Sequence, residues 1–263
     1  MLDILFSEKK NLMNSDFLIA TATYNEIENI GIFYDRIRNI FPSAYILFID
    51  DSSNDGTLNF LKLVESKDER VSLIQRPKKL GVGSAHFEIF NFAYENGFPF
   101  LVTLDADLSH QPEQISEFIN ASKDFDFIIG SRVFPGSSDY IGYRRYVSVI
   151  GNLLARIFLP TGLNEYTTSF RLFNQTALKV LVEKKSKQDG YAFFMSVVEV
   201  LYQNNLRLGQ VPIEFKNRFK GKSKIPKSQI FKSSINLFKL IFLRIANGFN
   251  FRNASISGGD EEI

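Results

Sequence analysis

The first half of the chain alternates short apolar runs with segments of helical periodicity, and this alternation most constrains the fold. Five runs are predicted to be strands: Phe17–Thr21, Tyr45–Ile49, Val71–Gln75, Phe100–Leu104 and Phe127–Ile129. Four segments are predicted to be helices: Asn25–Ile40, Thr57–Glu65, Gly83–Asn96 and Gln111–Ser122. Strands and helices in this order predict a mostly parallel α/β sheet covered by helices on both faces. In such sheets, ligands bind beyond the carboxyl ends of the strands.

The second half is less regular. Val133–Gly142 contains Pro135 and small residues without a clear period, which predicts a mobile loop. Further predictions are helices at Tyr143–Phe158, Phe193–Gln203 and Ser228–Asn247, and strands at Ser169–Phe173 and Leu208–Phe215, the latter near a sheet edge because of Pro212. The predicted organisation is an N-terminal extension (1–15), a main α/β domain (16–226), a basic amphipathic helix (227–252) and a disordered tail (253–263).

Composition excludes several classes of protein. The 263 residues include no cysteine, which rules out disulfides and cysteine-ligated metal centres. Met1–Ser15 lacks the apolar core of a signal peptide. A membrane-spanning helix is not expected either, since the most apolar stretch, Ile230–Phe249, is interrupted by three basic residues.

The charge is unevenly distributed along the chain. Phe215–Arg252 contains ten Lys and Arg residues and no acid, which leaves 21 basic and 29 acidic residues elsewhere. A basic segment on an acidic body favours an anionic partner, either a phosphate-bearing substrate or a membrane surface, and a solvated basic face is the alternative.

Acidic residues recur directly after the predicted strands. Glu26 follows the first strand, Asp50 and Asp51 follow the second, and Asp105 and Asp107 follow the fourth. One such acid is usually a cap or turn residue, but their shared place at the ligand-binding edge favours a function. Carboxylates two residues apart on a strand point to one side, and Mg²⁺ or Mn²⁺ takes such ligands together with substrate phosphates.

The sequence blocks around these acids resemble a known family. ATYNE, DDSSNDGT, DADLSHQPE and GSRVFPG, beginning at Ala22, Asp50, Asp105 and Gly130, resemble the nucleotide-sugar domain of family 2 glycosyltransferases. RRYVSVIGN, TTSFRLF, GYAFF and VPIEFKNRFKGKSK, beginning at Arg144, Thr167, Gly190 and Val211, resemble its dolichol- or polyprenol-phosphate mannosyltransferase group. The resemblance covers about Phe17 to Lys224. It implies a GT-A (Rossmann-like) fold, Mg²⁺ or Mn²⁺, and sugar transfer with inversion to a lipid phosphate.

The resemblance also implies roles for individual residues, with Asp107 and Arg132 expected to be catalytic. The expected nucleotide-sugar pocket comprises Ala22, Tyr24, Glu26, Ile49, Asp51, Ala106, Asp107, Arg132, Arg218 and Lys224. The expected metal ligands are Asp105, Asp107 and Ser109, and the acceptor phosphate is expected to meet Arg132, Arg144 and Ser148. Four positions depart from the usual family residues: Ala22 replaces proline, Ser109 glutamine, Glu165 aspartate and Ser169 glycine.

The expected reaction depends on positively charged groups rather than on a general base. A nucleoside diphosphate leaving group gains negative charge, which a metal, Arg218 and Lys224 would stabilise. A lipid phosphate is already anionic, so Arg132 and Arg144 would oppose its repulsion from the donor. The two histidines are not needed as bases: His86 is interpreted as a packing residue, and His110 is either a support of the metal ligands or structural.

The expected donor is GDP-mannose, and the expected acceptor is polyprenyl or dolichyl phosphate. The apolar stripe of Ser228–Asn247, flanked by Lys232 and Lys239, suits an interfacial helix on the cytoplasmic face of a membrane, and packing on the domain is the alternative.

Three rival functions remain open. The first is a family 2 enzyme that uses another donor, such as UDP-glucose, or a hydroxyl acceptor. The second is a nucleotidyltransferase, and the third is a non-catalytic nucleotide-sugar binding protein. No nucleic-acid partner is expected.

Overall fold

The computed structural model describes residues 17–133, 135–139, 143–184 and 191–220. The predicted N-terminal extension, the C-terminal amphipathic helix and the tail lie outside these residues. In the described part of the chain, no helix has both the length and the apolar character needed to cross a membrane.

Seven strands form one sheet that runs through the centre of the molecule. The strands of the described residues are β1 Leu18–Thr23, β2 Tyr45–Asp50, β3 Val71–Gln75, β4 Phe100–Thr103, β5 Phe127–Ser131, β6 Ser137–Ser138, β7 Arg171–Asn174, β8 Leu208–Pro212 and β9 Glu214–Phe215. The sheet order is β3-β2-β1-β4-β7-β5-β8, while β6 and β9 form a separate parallel pair. Every residue of β2 is buried, as is typical of a parallel strand covered on both faces.

Helices cover both faces of the sheet. They are α1 Ile27–Ile40, α2 Thr57–Lys67, α3 Val82–Glu95, α4 Ile115–Ala121, α5 Tyr143–Phe158, α6 Gln175–Glu183 and α7 Tyr191–Gln203. One apolar core lies between the sheet and α3, α5, α6 and α7, and a second lies between the opposite face and α1, α2 and α4. The predicted mostly parallel sheet with helices on both faces is therefore confirmed.

The second half of the chain differs from its predictions in four places. Strand β7 is antiparallel to both neighbours, β4 and β5, whereas the other pairings between described strands are parallel. The loop predicted at 133–142 contains β6. The single strand predicted over 208–215 is two strands, because the chain leaves β5 after Pro212 and pairs with β6 instead. Helix α6 was not predicted, although Asn174 caps it by accepting a hydrogen bond from the Ala177 amide.

His86 is a core residue, as the sequence suggested. Its ring packs among Phe90, Phe193 and Phe194, and Nδ1 lies 2.9 Å from the carbonyl of Val82. Burial lowers the pKa of His86 from 6.5 to about 4. The folded state therefore binds fewer protons than the unfolded state, so this contribution to stability is present above pH 6.5 and is lost as the pH falls towards 4.

We expect the variant His86→Phe to weaken this acid sensitivity. Between pH 7 and pH 5 the wild type should lose about 2 kcal/mol of unfolding free energy through His86, and the variant should lose correspondingly less. Urea denaturation at a series of pH values measures the two slopes. His110 is unchanged in both proteins and serves as an internal control. Parallel slopes would show that His86 is not buried in its neutral form.

Candidate active site

The ends of three neighbouring strands bring the predicted acids to one edge of the sheet. Strands β2, β1 and β4 are adjacent and parallel, so their carboxyl ends coincide. Thr23 lies opposite Asp50 in the β1–β2 register, and its hydroxyl donates to Asp50 Oδ2 at 2.8 Å. The loops that follow these strands therefore share one surface, as parallel α/β sheets generally arrange their ligand sites.

Asp50 and Asp55 organise these loops internally. Asp50 is fully buried and accepts hydrogen bonds from the amide and the hydroxyl of Ser53. Asp55 accepts from Thr57, whose hydroxyl in turn accepts from the amide of Glu26 at 2.8 Å. Two of the three acids in the DDSSNDGT block therefore fix the loop after β2 against the start of α1.

Asp51, in contrast, forms a buried ion pair with Arg76. Burial raises the pKa of Asp51, against the opposing effect of the Arg76 guanidinium. Arg76 also donates to the hydroxyl of Ser84 and the carbonyl of Gly81, so the turn before α3 is tied to Asp51. Nearby, Lys79 Nζ lies 4.0 Å from the centre of the Tyr24 ring. Two basic side chains, Arg76 and Lys79, thus contact Asp51 and Tyr24, the residues predicted to bind the nucleoside. Neither was predicted from the sequence.

The Asp105-Ala106-Asp107 triplet lies just beyond β4. The Asp105 side chain is 48% exposed, whereas that of Asp107 is 12% exposed. Leu108 has a φ of 62°, which turns the chain so that the Ser109 amide donates to Asp107 Oδ1 at 3.0 Å. Both carboxylates are therefore placed by the same tight turn.

His110 supports this turn from behind. Its Nδ1 accepts a hydrogen bond from the Asp105 amide at 3.1 Å, which assigns the ring proton to Nε2. Nε2 donates to the Thr168 hydroxyl at 3.0 Å. Burial lowers the pKa of His110 to about 3, so the ring is neutral. His110 thus contacts the backbone of Asp105 rather than its carboxylate, so it supports an expected metal ligand through a structural hydrogen bond.

Arg218 connects two parts of the predicted site. Its Nη1 lies 3.0 Å from both carboxylate oxygens of Glu26, and its Nη2 lies 3.1 Å from Asp107 Oδ2. The surrounding segment is also held by its backbone, because the amides of Lys216 and Phe219 donate to the carbonyls of Ser109 and Asp107. A basic segment from the end of the described chain thus lies across the triplet.

Arg132 follows β5, which lies on the opposite side of β4 from β1 and Glu26 in the sheet order, and Glu165 holds its side chain. Its Nε and Nη2 donate to the two carboxylate oxygens at 2.9 and 3.0 Å, and Nη2 also donates to Thr167. Burial by itself raises the pKa of Glu165, but Arg132 and Thr167 outweigh it and lower the pKa to about 2. The ring of Phe215 contacts both Arg132 and His110, so this ion pair lies close to the triplet loop.

The remaining predicted site residues differ in accessibility. Ile49 and Ala106 have buried side chains that belong to the two apolar cores, Ala22 is partly buried, and Ser109 is buried. Arg144 and Ser148 belong to α5, but their side chains lie outside the described part of the structure, as does Lys224. Within the described residues, no three His, Asp or Glu side chains converge as a ready-made metal site.

The fold and this edge of the sheet define a class of protein, the GT-A glycosyltransferases. The profile of the glycosyl transferase family 2 matches residues 18–182, and the chain belongs to this family. It is 32% identical over 222 residues to the undecaprenyl-phosphate mannosyltransferase of Micrococcus luteus, covering 84% of this chain and 91% of that protein. It is 31% identical over 217 residues to the polyprenol monophosphomannose synthase of Mycolicibacterium smegmatis, covering 81% and 82%.

Solved structures agree on the fold. Glucosyl-3-phosphoglycerate synthase from Mycobacterium tuberculosis, solved with Mn²⁺, UDP and glucosyl-3-phosphoglycerate, superposes with a TM-score of 0.61 at 14% identity. The match covers 92% of this chain and 84% of that structure. A complex of the same protein with Mn²⁺, UDP-glucose and phosphoglyceric acid gives a TM-score of 0.62. The predicted GT-A fold and the assignment as a glycosyltransferase are confirmed.

The Arg132–Glu165 ion pair should be strongly coupled in folding. Glu165→Gln leaves a buried guanidinium without its counter-charge, which should lower the unfolding free energy by about 3 kcal/mol. The double variant Arg132→Gln/Glu165→Gln should lose clearly less than the sum of the two single variants. Urea denaturation of the three variants and the wild type measures the cycle.

The exposed pair Arg207–Asp126 provides a matched control, because its atoms also lie 2.9 Å apart but Arg207 is solvated. Its cycle should be nearly additive. Additive losses at Arg132 and Glu165 as well would show that the buried pair is not a coupled unit.

Proposed function

We propose that the chain transfers mannose from GDP-mannose to a polyprenyl phosphate, with inversion at the anomeric carbon. The observation that carries the proposal is the distribution of charge around the triplet. Arg218 approaches Asp107 on the side of Glu26, and Arg132 is held on the other side by Glu165. We infer that Arg218 meets the donor diphosphate and that Arg132 meets a second phosphate, that of the acceptor. The two mannosyltransferase relatives support this acceptor class.

Asp105 and Asp107 are proposed as the ligands of a divalent cation, Mg²⁺ or Mn²⁺. Two carboxylates on one turn, one of them about half exposed, offer hard oxygen ligands with room for further ligands. Cations of this kind commonly bind one or two carboxylates and complete their shell with water and substrate phosphates. The residues present therefore fit such an ion, which would offset the charge of the leaving diphosphate.

The chain's own residues would do the remaining work by positioning and charge. Asp51 and Tyr24 would hold the nucleoside, with Arg76 fixing the Asp51 carboxylate. Arg218 would stabilise the developing charge on the diphosphate. Arg132 would present a fixed guanidinium to the acceptor phosphate, because Glu165 and Thr167 restrict its orientation. An acceptor that is already anionic needs no general base, which agrees with the neutral, buried state of both histidines.

Purified protein incubated with GDP-mannose, Mn²⁺ and a short polyprenyl phosphate should form a mannosyl phospholipid. Asp107→Asn should lower kcat/KM at least about 100-fold, because it weakens stabilisation of the leaving group. Glu113→Gln, which changes a nearby acid paired with Arg36 at the surface, is the matched control. Replacement of GDP-mannose by UDP-glucose tests the alternative donor.

Three results would contradict this proposal. Transfer to glycan hydroxyls but not to the lipid phosphate would exclude the acceptor, and transfer from UDP-glucose alone would exclude the donor. Full activity of Asp107→Asn would exclude the assigned role of the triplet.

We further propose that the protein associates peripherally with the cytoplasmic face of a membrane, where such a lipid would be reached. Helix α5 supports this with an apolar face open to solvent: Val149, Ile150, Leu153 and Ile157 are each more than half exposed. These positions fall on one side of the helix, whereas Asn152 and Ala155 on the other side are buried. The same helix carries Arg144 and Ser148, the residues expected to meet the acceptor phosphate.

The double variant Leu153→Asp/Ile157→Asp should bind lipid vesicles more weakly. Loss of two apolar side chains from a membrane interface should lower partitioning at least tenfold, since each contributes roughly 1.5–3 kcal/mol when buried. Co-sedimentation with vesicles of anionic phospholipid measures the effect. Leu63→Asp, at an equally exposed leucine on α2, is the control. Equal vesicle binding by the wild type, the double variant and Leu63→Asp would show that α5 is not part of the proposed membrane-binding surface.

A further inference from the structure

The carboxylate of Asp105 has an unequal environment at its two oxygens. Oδ1 accepts a hydrogen bond from the Ser169 hydroxyl at 2.6 Å. Oδ2 lies 3.7 Å from His110 Nδ1, which cannot donate to it because that nitrogen accepts the Asp105 amide. Among the described residues, Ser169 is thus the one whose side chain donates a hydrogen bond to this carboxylate. Oδ2 is the oxygen that can bind another ligand.

Ser169 is itself held rigidly. It is buried, and its carbonyl accepts a hydrogen bond from the Thr103 hydroxyl at 2.7 Å. The next carbonyl, that of Phe170, accepts from the Gly130 amide at 2.9 Å. Both contacts tie the segment before β7 to the two strands that flank β7. A hydroxyl fixed in this way can restrict the rotation of a half-exposed carboxylate.

We propose that Ser169 is a positioning residue that orients Asp105 for cation binding. By occupying Oδ1, its hydroxyl presents Oδ2 to the ion and fixes the carboxylate before the ion arrives. Residues that hold a metal ligand through hydrogen bonds affect metal affinity by about 10–100-fold. This inference rests on the cation site of the proposed function, and it adds a residue that usually is glycine in the family that the chain resembles.

The variant Ser169→Ala should bind Mn²⁺ about tenfold more weakly than the wild type. Titration of Mn²⁺ into the full-length protein without nucleotide or lipid, followed by the EPR signal of the free ion, gives the Kd directly. Ser169→Thr retains a hydroxyl and should bind close to the wild type. Ser122→Ala, which removes a hydroxyl that donates only to the Ile119 carbonyl, is the matched control. In transfer assays, excess Mn²⁺ should restore the activity of Ser169→Ala.

Three outcomes would overturn the inference. An unchanged Mn²⁺ Kd in Ser169→Ala would show that the hydroxyl does not position Asp105, while the proposed transfer reaction would stand. Equal losses in Ser169→Ala and Ser169→Thr, with a lowered Tm in both, would assign Ser169 a role in folding alone. Absence of Mn²⁺ binding by the wild type would reject the cation site together with this inference. Failure of lipid-phosphate transfer with normal Mn²⁺ results would reject only the proposed acceptor.

Discussion

The antiparallel strand β7 lies between β4 and β5, and most of the site geometry depends on this insertion. The segment that enters β7 must cross the carboxyl ends of both neighbours. It therefore brings Ser169 to Asp105 after β4, and Glu165 to Arg132 after β5. The hydroxyl of Thr168 adds a third contact through His110. A single crossing thus sets the distance between the expected metal ligands and the arginine expected to meet the acceptor.

The sequence predicted the parts of the structure that depend on local pattern. Strands β1 to β5 and the helices between them follow from apolar periodicity, and the acids after β1, β2 and β4 follow from the parallel arrangement. The direction of β7 could not be predicted in this way, because a four-residue strand has the same pattern in either direction. Helix α6 was missed although it has two local signals, the Asn174 cap and the helical spacing of the buried residues Ala177, Leu178 and Leu181.

The sequence could not predict the partners of the acids, because these come from distant positions. Glu26 and Arg218 are 192 residues apart, and Arg132 and Glu165 are 33 apart. No periodicity links such positions, so Arg76 was not recognised as part of the site, and Glu165 was noted only as a departure from the usual family residue. Motif resemblance identified Arg132 and Arg218 by type but gave no reason for their orientation. That reason is tertiary: Arg132 is fixed by Glu165, and Arg218 is fixed by Glu26 and Asp107.

These pairings explain how one small surface holds so many acids. Arg76 offsets Asp51, and Arg132 offsets Glu165, so both pairs are close to neutral. Arg218 is shared between Glu26 and Asp107, and Asp105 has hydrogen bonds but no cation within the described residues. Asp105 is therefore the carboxylate of the triplet that lies without an opposite charge among the described residues. The proposed divalent cation would supply that charge, and the donor's diphosphate would bind to the cation.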